Sequence, residues 1–294
     1  MKTKKLLVLT IVIASLLLPA LAIADNDPRD GVPAPGGTDI FLFYYRHYNG
    51  NDFFVDGDKL DGKTDFEFEL AIARYAHFVS LGNWTWSYDI VQPFGSMDLE
   101  VEALGIDGAG NGLGDTCVAT HINTPWLMPS ETMKYGMSAG FYLTAPTGDY
   151  DADEAVNLGA NRWAYKFEFT PVIWQMGPLV LELTGDAQFY TDNDEYTPAL
   201  SNQEQDPLFG LQTHLSYDIN DSFWVGVSHY FYTGGETTVD GVDMDDKTET
   251  QALRFTGAIK LAPQVQLLLQ YHTELERENG VEQNYIGTRL AYFW

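Results

Sequence analysis

The sequence predicts an all-β protein: a transmembrane antiparallel β-barrel of about 12 strands, preceded by a cleaved signal peptide. Three observations predict it. Segments of two-residue alternation recur from residue 39 to the end, and the connections between them alternate short and long. The last segment, Glu282 to Trp294, places Trp294, Tyr292, Leu290, Thr288 and Ile286 on one face and Phe293, Ala291, Arg289, Gly287 and Tyr285 on the other. One apolar, aromatic-ended face and one small, polar or charged face suit lipid outside and water inside. Such a strand needs a partner, and in a closed barrel that partner is the first strand.

The N-terminus agrees. Lys2, Lys4 and Lys5 precede an apolar run from Leu6 to Leu18, and Ala22-Ile-Ala24 is a small-x-small cleavage signature. The run is too short to span a bilayer and reads as a secretory signal peptide over residues 1–24. No later stretch approaches the ~20 apolar residues of a spanning helix, so entry into a membrane falls to strands. Residues 25–38, carrying Pro28, Pro33 and Pro35, read as a periplasmic linker or a plug, and residues 39–294 as the barrel.

The strands follow in order. Asp39 to His47 carries Phe41, Phe43 and Tyr45 on one face, and Asp65 to Val79 carries Phe66, Phe68, Leu70 and Ile72. Trp84 to about Ala103 is long, with an expected break near Pro93. Thr116 to Trp126 and Lys134 to Ala145 come next. Asn161 to Trp174 sets Trp163, Tyr165, Phe167 and Phe169 against Arg162, Lys166 and Glu168. Pro178 to Thr191 sets Leu179, Leu181 and Leu183 against Glu182, Thr184, Asp186 and Gln188. Pro207–Ile219, Ser222–Gly234, Thr248–Leu261 and Gln264–Arg277 precede the final strand. The even count is that of bacterial barrels. Short turns at 80–83, 175–177, 220–221 and 262–263 alternate with long polar loops near 48–64, 104–114, 146–160, 192–206 and 235–247. Short periplasmic turns and long extracellular loops are the asymmetry of such barrels, and a soluble β-sandwich has no reason to show it. The expected location is the outer membrane of a Gram-negative-type bacterium.

Forty-two acidic against 16 basic residues give a net charge of −26, which excludes nucleic acid as a partner because phosphate binding needs basic surface. The single cysteine, Cys117, excludes an internal disulfide framework. The 17 Tyr, 17 Phe and 7 Trp suit interfacial girdles and an aromatic lumen.

Several blocks resemble the MetA-pathway of phenol degradation family of outer-membrane transporters. They are Gly112-Leu-Gly-Asp115, Ala145-Pro-Thr-Gly-Asp-Tyr-Asp151, Asn157-Leu-Gly-Ala-Asn-Arg-Trp163, Phe189-Tyr-Thr-Asp-Asn-Asp194, Gln205-Asp-Pro-Leu208, His214-Leu-Ser-Tyr-Asp218 and Gly234-Gly-Glu-Thr-Thr238. Their order and spacing span residue 40 to the end. The resemblance implies passage of small hydrophobic or aromatic compounds across the outer membrane toward a degradation pathway. Cys117 stands outside the pattern and takes no role.

Motifs for other chemistry are incomplete. Gly108-Ala-Gly-Asn-Gly-Leu-Gly114 never completes a G-x-G-x-x-G phosphate loop and reads as a flexible extracellular turn. Asp149-Tyr-Asp-Ala-Asp153 opens like a calcium loop, but Glu154 replaces the glycine and Ala160 the bidentate glutamate. His121, His214, His229 and His272 lie on separate strands without zinc spacing. No cofactor, metal or catalytic residue is assigned. The expected partners are outer-membrane lipids, lipopolysaccharide bridged by divalent cations to acidic loops that include Asp240, Asp243, Asp245 and Asp246, the barrel-assembly machinery through the C-terminal strand, and a small hydrophobic substrate.

The lumen carries the functional expectation. Parity turns Arg46, Glu67, Glu69, Asp89, Arg162, Lys166, Glu168, Glu182, Asp186, Arg254, Lys260, Glu274 and Arg289 inward. Cross-strand pairing explains many of them as structural. A substrate path is assigned to Arg162, Tyr142, Tyr190, Tyr230, Tyr232, Arg254 and Arg289, with Arg162 first, through stacking and cation–π contact. The competing functions are a general passive porin, a structural barrel, and an outer-membrane lipid-modifying enzyme.

Overall fold

The computed structural model describes residues 25–199 and 201–294; the signal-peptide expectation lies outside them. Twelve antiparallel strands form the barrel: β1 (Asp39–Gly50), β2 (Thr64–Leu81), β3 (Trp84–Val101), β4 (Thr116–Asn123), β5 (Met133–Ala145), β6 (Ala164–Met176), β7 (Leu179–Tyr190), β8 (Leu208–Asn220), β9 (Phe223–Gly234), β10 (Thr248–Ala262), β11 (Val265–Arg277) and β12 (Asn284–Phe293). Each pairs with its sequence neighbours. The ring closes between β12 and β1, from Ile40 opposite Phe293 to Asn49 opposite Asn284. Reciprocal backbone bonds between Asp39 and Trp294, 2.9 and 3.0 Å, seal the short-turn end. Closure leaves no strand edge facing lipid, where an unpaired backbone group costs several kcal/mol.

Side-chain parity follows. On β1, Ile40, Leu42, Tyr44, Arg46 and Tyr48 are buried inside while Phe41, Phe43 and Tyr45 face out. On β12, Tyr285, Arg289 and Ala291 point in and Ile286, Leu290 and Tyr292 out. Phe167, Phe169, Phe209, Leu215, Phe255 and Leu269 continue the apolar outer belt.

Three local expectations are corrected. Glu67 and Glu69 face outward, and Phe66, Phe68, Leu70 and Ile72 point in. β2 has 18 residues, against the 9–11 that cross a bilayer, so its long-loop end stands clear of lipid. There the outer face carries carboxylates, with Glu69 taking hydrogen bonds from Tyr45 and the His47 ring. The inner face joins Phe53, Met97, Leu99, Val101, Ile106 and Val281 in an apolar cluster under the loops.

The glycine run is not a turn. Ile106–Leu113 is a strand paired along the upper half of β3. β3 is continuous beside β2, with Pro93 opposite Ile72, but its other edge changes partner at Pro93, from β4 below to this strand above. Pro93 has no N–H to give, and its carbonyl accepts from the Gly114 N–H at 2.9 Å. The glycines admit the loop 146–160: a Cβ on Gly110 would lie 2.6 Å from the Val156 carbonyl oxygen. Arg162, placed on a strand by parity, precedes β6 and is nonetheless buried.

The long loops carry structure. Gln203–Gln205, Thr237–Val239 and Val242–Asp243 form one three-stranded sheet, and Phe53–Val55, Asp58–Lys59 and Gly280–Val281 another. Gly110→Val should force the 146–160 loop off the strand and destabilise the fold by about 1–3 kcal/mol, the usual cost of overpacking. A lowered urea midpoint in bilayer-reconstituted protein is the expected reading, and an unchanged midpoint would contradict the packing described.

Candidate functional site

The lumen is occupied by the chain's own residues 25–37. Asp27 sits at the centre, 1 % exposed. Its Oδ1 accepts from Arg254 Nη1 at 3.1 Å and Gln270 Nε2 at 2.6 Å, and its Oδ2 from Arg289 Nη1 at 3.0 Å. Asp25 takes the other arm of Arg254 at 2.8 Å and the hydroxyl of Tyr232. Asp30 bridges Arg289 at 3.0 Å and Arg74 at 3.4 Å. The backbone is held as well. Glu182 accepts the N–H of Arg29 at 2.6 Å and of Gly31 at 2.9 Å, and Tyr230 donates to the Asn26 carbonyl at 2.9 Å. Arg29, in the left-handed region at φ 77°, reaches Asp218 at 2.7 Å and lies 4.6 Å over the Trp224 ring. Gly226 leaves room for Pro28, whose Cγ would stand 3.3 Å from an added Cβ.

Burial by itself would raise the Asp27 carboxyl; the guanidiniums of Arg289, Arg254 and Arg46 and the bond from Gln270 outweigh it and hold it down at about 2. Charge-assisted bonds to a buried carboxylate are strong, and removing one partner strands the others.

Rings line the wall around and above this segment. Tyr48, Tyr285, His272, Tyr230 and His214 form a continuous series across β1, β12, β11, β9 and β8, with neighbouring centroids 4.7, 4.8, 5.9 and 5.7 Å apart. Arg254 of β10 bridges the gap, 4.4 Å from the Tyr230 ring and 5.4 Å from that of Tyr285. Four of these rings, Tyr48, Tyr285, His272 and Tyr230, together with Asp25, Tyr232, Lys166, Asp186, Glu274, Arg277 and Gln283, enclose a cavity of about 80 Å³ on the long-loop side. On the short-turn side, a cavity of about 310 Å³ lies among Arg29, Ile40, Leu42, Phe78, Trp224, Lys260 and Phe293.

Of the residues expected on the path, Arg254, Tyr230, Tyr232 and Arg289 converge on the N-terminal segment. Tyr142 stands on another wall: its ring covers Lys166 Nζ at 4.0 Å, and its hydroxyl meets His121 at 2.9 Å and Glu168 at 3.3 Å. Arg162 and Tyr190 form a separate pair, 4.8 Å from guanidinium to ring, with Arg162 donating to Gln203 and Gln205. Among the described residues Arg162 makes no ion pair, whereas Arg29, Arg74, Arg254, Arg277 and Arg289 each do. Lys260 is exposed at the short-turn end.

Sequence reading did not assign Asp27, Asp30, Tyr48, Tyr285 or His272 to the path. Tyr48 and Tyr285 were legible by parity, since they share faces with Arg46 and Arg289. The acidic residues of the N-terminal segment carried no comparable signal. Among the described residues, no three His, Cys, Asp or Glu side chains are grouped to hold a metal.

A closed twelve-strand barrel, apolar outside and charged and aromatic inside, is the architecture of an outer-membrane channel, and no described helix is long and apolar enough to cross a membrane. The chain belongs to the family described as "Putative MetA-pathway of phenol degradation", matched over residues 50–290. It is similar to the COG4313 outer membrane channel from Pseudomonas putida F1, at 28 % identity and TM-score 0.86, over 92 % of this chain and 100 % of that one. The transport unit of the autotransporter AIDA-I from Escherichia coli matches 95 % of each chain at 8 % identity and TM-score 0.48, too distant to add to the argument. No curated protein sequence matches significantly. The protein is an outer-membrane β-barrel of the channel class, set in membrane lipid.

Asp27→Asn should leave Arg254 and Arg289 under-compensated and cost about 3 kcal/mol, read as a lowered unfolding midpoint. The pH dependence has a definite sign. A depressed carboxyl stabilises above its unfolded value near 3.8 and loses that contribution as pH falls through about 2. The Asp27 carboxyl resonance should therefore titrate near pH 2, and titration near 3.8 would contradict the ion-paired geometry.

Proposed function

We propose that this barrel is a gated channel for small hydrophobic or aromatic compounds, with residues 25–37 as its plug. The observation that carries the reading is an aromatic-walled cavity resting on an ion-paired segment. The upper cavity, at about 80 Å³, is smaller than the ~150 Å³ that admits a benzene ring, so passage requires the segment or its neighbours to move. A general porin has an open aqueous lumen; here the Asp27, Asp30 and Glu182 contacts cross it. Membership of a family tied to phenol degradation supports this class of cargo, and the likeness to the Pseudomonas outer membrane channel supports the channel role.

Arg254, Arg289, Tyr230 and Tyr232 act in this reading as plug anchors, and Arg162 with Tyr190 and Tyr142 lines the remaining wall. The sequence-based ranking of Arg162 first gives way to the ring series. An enzyme is the weaker reading. His214 Nδ1 lies 2.8 Å from Ser228 Oγ, yet both side chains are sealed from solvent and His214 Nε2 has no partner to orient it. The acidic outer loops are assigned contacts with divalent cations of the lipopolysaccharide layer, and the terminal strand contact with the barrel-assembly machinery; chelator-insensitive stability would remove the first.

Cells expressing the chain should take up labelled phenol several-fold faster than cells lacking it, with disaccharide entry unchanged. Deleting residues 25–37 should raise planar-bilayer conductance at least tenfold. Equal gains for phenol and disaccharide in the intact protein would favour a general porin, and no gain for either would sink the channel reading.

A further inference from the structure

Three residues that line the upper cavity hold polar atoms the protein leaves unused, each sealed just behind the cavity wall. Tyr285 Oη, His272 Nδ1 and Gln283 Nε2 are buried, line the same cavity, and have no hydrogen-bond partner among the described residues. An unpaired buried polar atom carries a desolvation cost, so three around one cavity mark either strain or a missing partner. They come from three places in the chain: β12, β11 and the loop before β12.

The surfaces around them are rings. The His272 imidazole and the Tyr285 phenol are stacked at 4.8 Å with planes 5° apart, and Tyr48 lies on the other side of Tyr285 at 4.7 Å. A planar unsaturated ligand matches such walls through offset or edge contacts.

Charge narrows the class further. Glu274 is paired to Arg277, Asp25 to Arg254, and Lys166 to Glu168, while Asp186 accepts from Gln212 Nε2 at 3.1 Å, so the ionic groups at the cavity already have internal partners. A charged ligand would have to displace one of them, whereas a neutral ligand need only satisfy the idle donors and acceptors. The cavity size limits the ligand to one ring, admitted by a side-chain shift.

We propose that Tyr285, His272 and Gln283 form a recognition subsite for a neutral, single-ring aromatic compound bearing a hydroxyl or carbonyl, bound on the long-loop side of residues 25–37. The proposal rests on the channel reading and adds a saturable station to it. The ring packs among Tyr48, Tyr285 and His272, and its oxygen takes the Gln283 N–H and exchanges hydrogen bonds with Tyr285 Oη and His272 Nδ1. A site built to hydrogen-bond a polar group rejects the analogue that lacks it, because its own buried groups then stay unpaired.

The test is direct binding to the purified full-length barrel by saturation-transfer NMR with competition, against a detergent-only control, using phenol, benzene, cyclohexanol and benzoate. Phenol should bind saturably and at least tenfold more tightly than the other three. Tyr285→Phe and Gln283→Leu should each weaken phenol binding about tenfold while leaving benzene unchanged and the heat-modifiable gel shift intact. The comparison of ligands on unaltered protein keeps the test decisive even where a variant fails to fold. Phenol and benzene binding equally would overturn the subsite, showing its polar groups to be satisfied by water. Benzoate binding best would overturn the neutral class. Saturable phenol binding without enhanced cellular uptake would instead leave the subsite standing and remove the channel reading.

Discussion

At lipid depth no water is available to satisfy the backbone, and the rest of the architecture descends from that constraint. The β1–β12 ladder, sealed by the Asp39–Trp294 pair, turns an open sheet into a ring with every edge paired. Closure fixes parity, because a one-residue slip would turn Arg289 and Arg46 toward lipid and Leu290 and Phe43 toward the lumen. Parity in turn crowds the interior with charge. The acidic N-terminal segment answers that crowding: Asp25, Asp27 and Asp30 supply the carboxylates that pair with Arg254 and Arg289, two like charges held one strand apart on the same wall.

The barrel was legible in the sequence because its signals are local and periodic. Alternation on β6 and β12, the short turns and the long loops each require only a few consecutive residues. Departures arose where position along the membrane normal mattered more than period. Phe66 and Phe68 alternate with Glu67 and Glu69 in the way a lipid-facing strand does, and the same pattern serves a strand whose upper half stands in water and packs its apolar face inward. Period two tells which residues share a face but not which face is inside.

The site was less legible, for a different reason. Tyr230 and Tyr232 were placed inward correctly, but their partners Asn26 and Asp25 lie more than 200 residues away along the chain. Arg162, inside a distinctive Asn-Arg-Trp block, stands apart with Tyr190. The glycine run 108–114 illustrates the same point. Its meaning lies in the approach of Val156 and Asp149 to Gly110 and Gly112, contacts with no sequence signature of their own.

In the proposed gated channel, the balance of forces on the N-terminal segment reconciles firm seating with removal. A buried ion pair gains little over an apolar contact of similar size, because desolvation offsets most of the attraction. Breaking it halfway is costly, since a lone Asp27 or Arg289 is then stranded. Withdrawing the segment with water entering behind it restores solvation to both sides together. Ion pairing therefore favours two end states, seated or hydrated, over intermediate ones. An apolar plug would lack this property, because water entering a greasy lumen offers its wall nothing in exchange. The segment's three carboxylates and the lumen's arginines would thereby make motion of the segment a cooperative step, as the proposed gating requires.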